Sequence, residues 1–75
     1  MRKEHHVVPN KEKKGWEVKV SEVEEPLSFH KTQAEAIKVG RTLAKSAKTE
    51  FVIHGRDGRI RQKDSYGNDP KSSKG

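Results

Sequence analysis

Thr32-Gln33-Ala34-Glu35-Ala36-Ile37-Lys38-Val39-Gly40-Arg41-Thr42-Leu43-Ala44-Lys45-Ser46-Ala47 carries the helical period of the chain. Ala36, Ile37, Gly40, Leu43, Ala44 and Ala47 fall at i, i+1, i+4, i+7, i+8 and i+11, a single stripe on one face. Thr32 and Glu35 have the spacing of a capping box, in which the hydroxyl takes the Glu35 amide and the carboxylate reaches back. Gly40 in mid-stripe costs about 1 kcal/mol relative to Ala, so its position predicts a close approach of helix to sheet. The helix should end near Ala47–Lys48.

Working outward, every other segment reads as strand or turn. Towards the N-terminus, Pro26–His30 alternates with Leu27 and Phe29 as its apolar pair, after an acidic turn over Ser21–Glu25. Trp16-Glu17-Val18-Lys19-Val20 alternates clearly, and His6-Val7-Val8 is a β-type run closed by Pro9-Asn10. Pro9 lacks an amide hydrogen, which assigns that run to a sheet edge or a strand end. Beyond the helix, Glu50–His54 is dense in β-formers and is predicted to be the central strand. Asp57-Gly58 between extended flanks predicts a hairpin turn and a last strand from about Arg59 to Lys63.

The fold class is therefore α+β: a small, mostly antiparallel sheet in the order β-β-β-α-β-β, with one amphipathic helix on one face. The predicted organisation is a flexible N-terminus over 1–5, one domain over 6–66 and a flexible tail over 67–75. The predicted core is Val7 or Val8, Trp16, Val18, Val20, Leu27, Phe29, Ile37, Leu43, Phe51, Ile53 and Ile60.

Composition narrows the function. Seventy-five residues make one domain. The chain has no cysteine, which removes disulfides and thiolate metal sites and suits the cytoplasm. There is no signal-peptide pattern at the N-terminus and no membrane-spanning run. Net charge is +6. Residues 1–30 hold six Lys/Arg and six Glu, so the whole excess lies in residues 31–75, with eleven Lys/Arg against five acids.

Val7-Val8-Pro9-Asn10, Gly15-Trp16, Thr32-Gln33-Ala34-Glu35-Ala36, Ile53-His54-Gly55-Arg56-Asp57-Gly58-Arg59-Ile60 and Asp64-Ser65-Tyr66-Gly67-Asn68-Asp69-Pro70 follow one another in order. Together they resemble DUF2188, a family of small bacterial and phage proteins of unknown function. The resemblance runs from about residue 5 to residue 70. It implies a bacterial or phage cytoplasmic protein, and no activity, cofactor or site residue.

Two basic groups suggest a binding surface. Lys38, Arg41, Lys45 and Lys48 form a stripe beside the apolar face of the helix, able to track phosphates or simply solvated. Arg59, Arg61 and Lys63 alternate along the last strand and should share one face, with Arg56 across the turn; a charged edge strand is the structural alternative. Tyr66 is a candidate for stacking on a base, or for folding back over the sheet edge. His5 and His6 fall on the unstructured end, and His30 and His54 lie far apart, so no metal site is expected. His54 reads as a hydrogen-bonded structural group, and His30 as a weak candidate for an anion at the helix start.

No Ser/His/acid or Cys/His set and no phosphate-cradling Gly-rich loop is present, so the reading is a binding protein without catalysis or cofactor. Its expected partner is duplex DNA or another polyanion. The alternative is an adaptor or phage-type inhibitor that binds an acidic protein surface, or pairs weakly with a second copy through a sheet edge.

Overall fold

The computed structural model describes residues 4–66. Its elements are β1 (Glu4–Asn10), β2 (Gly15–Val20), β3 (Ser28–His30), α1 (Gln33–Ala47), β4 (Glu50–His54) and β5 (Ile60–Ser65), in the predicted order. The strands form one sheet, β3-β2-β1-β4-β5, antiparallel throughout except for the parallel pair β1–β4. Connectivity explains the exception. Both β1 and β3 run antiparallel to β2, so they point the same way. The helix then carries the chain over the sheet from β3 and lays β4 down in that same direction.

The central strand is β1, not Glu50–His54 as the sequence suggested. A run rich in β-formers signals burial on both faces, and β4 has that burial one place from the edge. Glu4 and His5, predicted to be flexible, belong to β1. The Glu4 carbonyl accepts the Ser21 amide at 2.9 Å, and the Ser21 hydroxyl accepts the Glu4 amide at 2.9 Å. Register with β4 stops at Val7, so Pro9 stands where β1 has outrun its parallel neighbour, at a strand end as expected. The tails predicted at residues 1–3 and 67–75 lie outside the described residues.

Thr32 caps α1 from an extended backbone, its hydroxyl accepting the Glu35 amide at 3.2 Å. At the other end Lys48 turns left-handed, with φ 57°. The Lys48 amide donates to the Lys45 carbonyl (3.3 Å) and the Thr49 amide to the Ala44 carbonyl (3.0 Å), the Schellman arrangement. Ala36, Gly40 and Ala44 are the buried face of the helix. They meet Val7, Trp16, Val18, Phe51 and Ile53 in one cluster, with Ile37, Val39 and Leu43 packed at its margin. Small residues let the backbone come down onto the sheet. A Cβ on Gly40 would stand 2.7 Å from Phe51 Cε1 and 3.3 Å from Val7 Cγ2.

Three expected core residues are exposed instead: Leu27 (48%), Phe29 (37%) and Ile60 (62%). The helix covers one face only. Phe29 pairs with Glu17 and Ile60 with His54, both on the opposite, uncovered face. Of the Val7/Val8 pair, Val7 is the buried one, and Val20 is half-buried. Val52 is 1% exposed although it faces away from the helix, flanked by His6 on β1 and Lys63 on β5.

Gly40→Ala should lower stability. It gains about 1 kcal/mol of helix propensity, but the overpacking against Phe51 costs about 1–3 kcal/mol. Lys48→Gly should raise stability by about 1 kcal/mol, because glycine relieves the left-handed cap. Urea unfolding of the two variants beside the parent checks both signs.

Candidate functional site

The β4–β5 turn decides where the basic side chains go. The Gly55 amide donates to the Arg59 carbonyl (2.8 Å) and the Gly58 amide to the Gly55 carbonyl (2.9 Å), with Gly58 at φ 85°. The Asp57 carboxylate accepts the Arg59 amide at 3.0 Å. This is a three-residue turn that requires a left-handed glycine at its end. The register then slips between Ile53 and His54, so that Gln62 faces Ile53 while Ile60 faces His54. Arg61 is the extra residue.

That bulge breaks the face expected to carry Arg59, Arg61 and Lys63 together. Arg61 turns to the helix side, its stem beside Gly55, where an added Cβ would lie 3.5 Å from both Cγ and Cδ. Lys63 pairs with Val52 on the uncovered face, and its ammonium lies 3.3 Å from Glu50. Arg59 stays in the turn, 3.7 Å from Asp57. A strict period of two cannot foresee this, because one inserted residue reverses every side chain beyond it.

What the fold brings together is a cluster at one end of the sheet. Two open grooves of about 470 and 700 Å³ meet there and share Trp16, Lys31 and Arg56. The first adds Lys11 and Lys14, and the second adds Arg61 with Thr32 and Gln33 of the helix start. Among the described residues, Asp57 is the one carboxylate in either lining.

The topology explains the convergence. β1, β3 and β4 run the same way and end at Asn10, His30 and His54. Lys11 and Lys31 come one residue after the first two of these ends, and Arg56 two residues after the third. Lys14 precedes β2 and Arg61 is the second residue of β5, both entering from that same end. The free amides of the helix start add positive potential there. Buried Trp16 forms the floor. Lys11, Lys14 and Lys31 were not singled out in the sequence reading. Their signal was position just beyond co-directional strand ends, which is legible only once strand directions are known.

The helix stripe runs along α1 on its β5 side and lines neither groove. Lys38, Lys45 and Lys48 are exposed and Arg41 is half-buried. Lys45 Nζ sits 5.5 Å from the centre of the Tyr66 ring, directly after β5, so the stripe overlooks β5. Among the described residues α1 packs on β1 to β4 and leaves β5 uncovered. Tyr66 itself is turned inward. Its amide donates to the Thr49 carbonyl (3.2 Å), and its ring lies 6.4 Å from that of Phe51. Its half-buried ring packs against the core cluster.

His54 is a hydrogen-bonded group as expected, whereas His5 and His6 lie in β1 and not on an unstructured end. His6 is in the central strand, and His6 Nδ1 lies 2.9 Å from His54 Nε2 on the uncovered face. Glu4 Oε1 is 3.1 Å from His6 Nε2, and the Gly58 carbonyl is 3.0 Å from His54 Nδ1. Burial and the neighbouring His54 ring push the His6 pKa down, with a smaller push from Lys63, against the upward pull of Glu4. Residues His6 and His54 are far apart in sequence, and only the parallel β1–β4 pairing makes them neighbours. His30 binds the Ser28 hydroxyl (2.8 Å) and has its other nitrogen 3.9 Å from Glu35, so it serves its own turn, not an anion at the helix start. Among the described residues no group of three or more His, Cys, Asp or Glu could hold a metal ion.

A family model described as an uncharacterized protein conserved in bacteria (DUF2188) matches residues 5–66. The chain belongs to the DUF2188 family. No curated protein and no solved structure matches it. The DUF2188 match spans β1 to Tyr66, so the grooves, the helix stripe and the histidine pair all lie within the family region. No described helix is long and apolar enough to cross a membrane.

Proposed function

We propose that this chain is a cytoplasmic binding module, not an enzyme, that takes the phosphates of duplex nucleic acid on its helix side. The observation that carries the reading is the convergence of Lys11, Lys14, Lys31, Arg56 and Arg61 around Trp16 with one carboxylate among them. Charge needed only for solubility works best when dispersed with both signs. Five cations at one end of a thin-cored domain repel one another, and an anionic partner removes that cost. Lys38, Arg41, Lys45 and Lys48 extend the surface along α1. From Lys38 to the C-cap Lys48 the stripe covers roughly 15 Å at about 1.5 Å rise per residue, a length that spans more than one phosphate. Contacts of this kind give strong salt dependence and little sequence preference.

A second reading, an acidic protein partner or a second copy, draws on the exposed Phe29 and Ile60 of the uncovered sheet face and on exposed Leu27 just before β3.

The test is a titration of mixed-sequence duplex DNA at ~50 and ~200 mM salt. Affinity should fall steeply with salt. The double variant Lys31→Gln/Arg56→Gln should flatten the slope of log K against log salt by about 0.9 for each phosphate contact removed. Arg59→Gln/Lys63→Gln, at two side chains that line neither groove, should leave it almost unchanged. Absence of binding at the lower salt, or a larger loss from the second pair than from the first, would sink the nucleic-acid reading.

A further inference from the structure

We infer that His6 and His54 form a pH-sensitive latch that fastens the β4–β5 turn to the central strand and opens when the pair takes up a second proton. The case is a count of hydrogens. The Gly58 carbonyl can only accept, so His54 Nδ1 carries hydrogen, at 3.0 Å. Neutral His54 therefore offers a lone pair at Nε2, and His6 Nδ1 donates to it at 2.9 Å. His6 Nε2 then faces Glu4 Oε1 at 3.1 Å. With no added proton that last contact sets two acceptors against each other. One added proton, on His6 Nε2, completes the chain from Glu4 to Gly58. A second has no place: two N–H groups would meet head-on, on charged rings whose centres are 5.2 Å apart.

The surroundings oppose extra charge. Lys19 stands across from His6 on β2, and Lys63 lies on β5 opposite Val52. The acids are Glu4, on the strand of His6 itself, Glu17 further along β2, which accepts from Asn10, and Glu50 on β4, which is held by Lys63. Arg56, Asp57 and Arg59 belong to the turn that the latch holds. His6 is already harder to protonate than a free imidazole, chiefly through burial and its His54 neighbour. A lowered folded-state pKa means the opened or unfolded chain binds more protons. The latch is therefore closed at neutral pH, keeps its first added proton on His6 Nε2 without opening, and is lost at the lower pH where the crowded pair takes up its second proton, which the opened chain accepts more readily. All four ring nitrogens are engaged within the chain, so the pair is a fastening and not an acid–base site.

Site-resolved hydrogen exchange of the intact protein from pH 7.5 to 4.5, corrected for intrinsic rates, tests this. Opening of the Gly55 and Gly58 amides should rise by about tenfold per pH unit below the transition, the slope for one proton, while the helix amides respond less. In His54→Gln that slope should vanish. A flat profile in the parent, or an equal slope in the variant, would overturn the latch. Should the variant fail to fold, imidazole ¹⁵N shifts of the parent decide: both rings must carry hydrogen on Nδ1 at pH 7.5, and an Nε2–H form of either neutral ring refutes the proposal.

Discussion

The contact between Gly40 and the Phe51 ring sets the geometry of the molecule. With an added Cβ only 2.7 Å from the ring, the helix backbone lies as low on the sheet as chemistry permits. Ala36 and Ala44, one turn to either side, keep it there. A short chain has little apolar surface to spend, and close backbone approach raises the fraction of it that is dry. The same economy leaves the second sheet face without a cover. That face holds itself together by polar means: the Asn10 side chain with Glu17 (2.6 Å), Lys63 with Glu50, and the Glu4–His6–His54 chain. Polar bonds there stand in for the layer that the chain is too short to supply.

Much of this was legible in the residues, and the limits have physical causes. The helix, its Thr32 cap and the reason for Gly40 follow from period and spacing, which are local. The element order follows from turn residues. Strand order does not, because pairing partners are chosen by the crossover of the helix and not by any local signal. That is why Glu50–His54 read as the central strand and β1 is. Leu27, Phe29 and Ile60 read as core because alternation reveals which residues share a face and not which face is covered. The basic side chains show the same division. Lys38, Arg41, Lys45 and Lys48 hold as one stripe because a helix transmits its period without slippage. Arg59, Arg61 and Lys63 scatter because a single bulge undoes the period of a strand.

The parallel pair has consequences at both of its faces. Three co-directional strands, β1, β3 and β4, bring their carboxyl ends to one side of the molecule, where α1 begins. Ligands of open α/β sheets commonly lie outside the carboxyl ends of parallel strands, where loops and helix starts converge. In this fold the residues delivered there are Lys11, Lys31 and Arg56. On the far face the same β1–β4 register brings His6 within reach of His54, and through it the turn that carries Arg56. One topological choice thus assembles the cationic cluster and fastens one of its members.

Such a cluster works against the fold that carries it. Neighbouring cations raise the free energy of the compact state, and a thin core has little reserve to absorb that. The chain answers by rigid placement rather than by neutralisation. Arg61 is laid against Gly55, Arg56 is held in a glycine-closed turn, and the Lys11–Lys14 loop is tied by the Asn10 side chain to the Lys13 amide at 2.9 Å. Carboxylates on the same chain pair elsewhere, Glu50 with Lys63 and Glu17 with Asn10, on the uncovered face. The groove linings hold five cations and, among the described residues, the single carboxylate of Asp57. Solubility alone gives no reason to gather cations at one end of a sheet, whereas the proposed anion-binding role does.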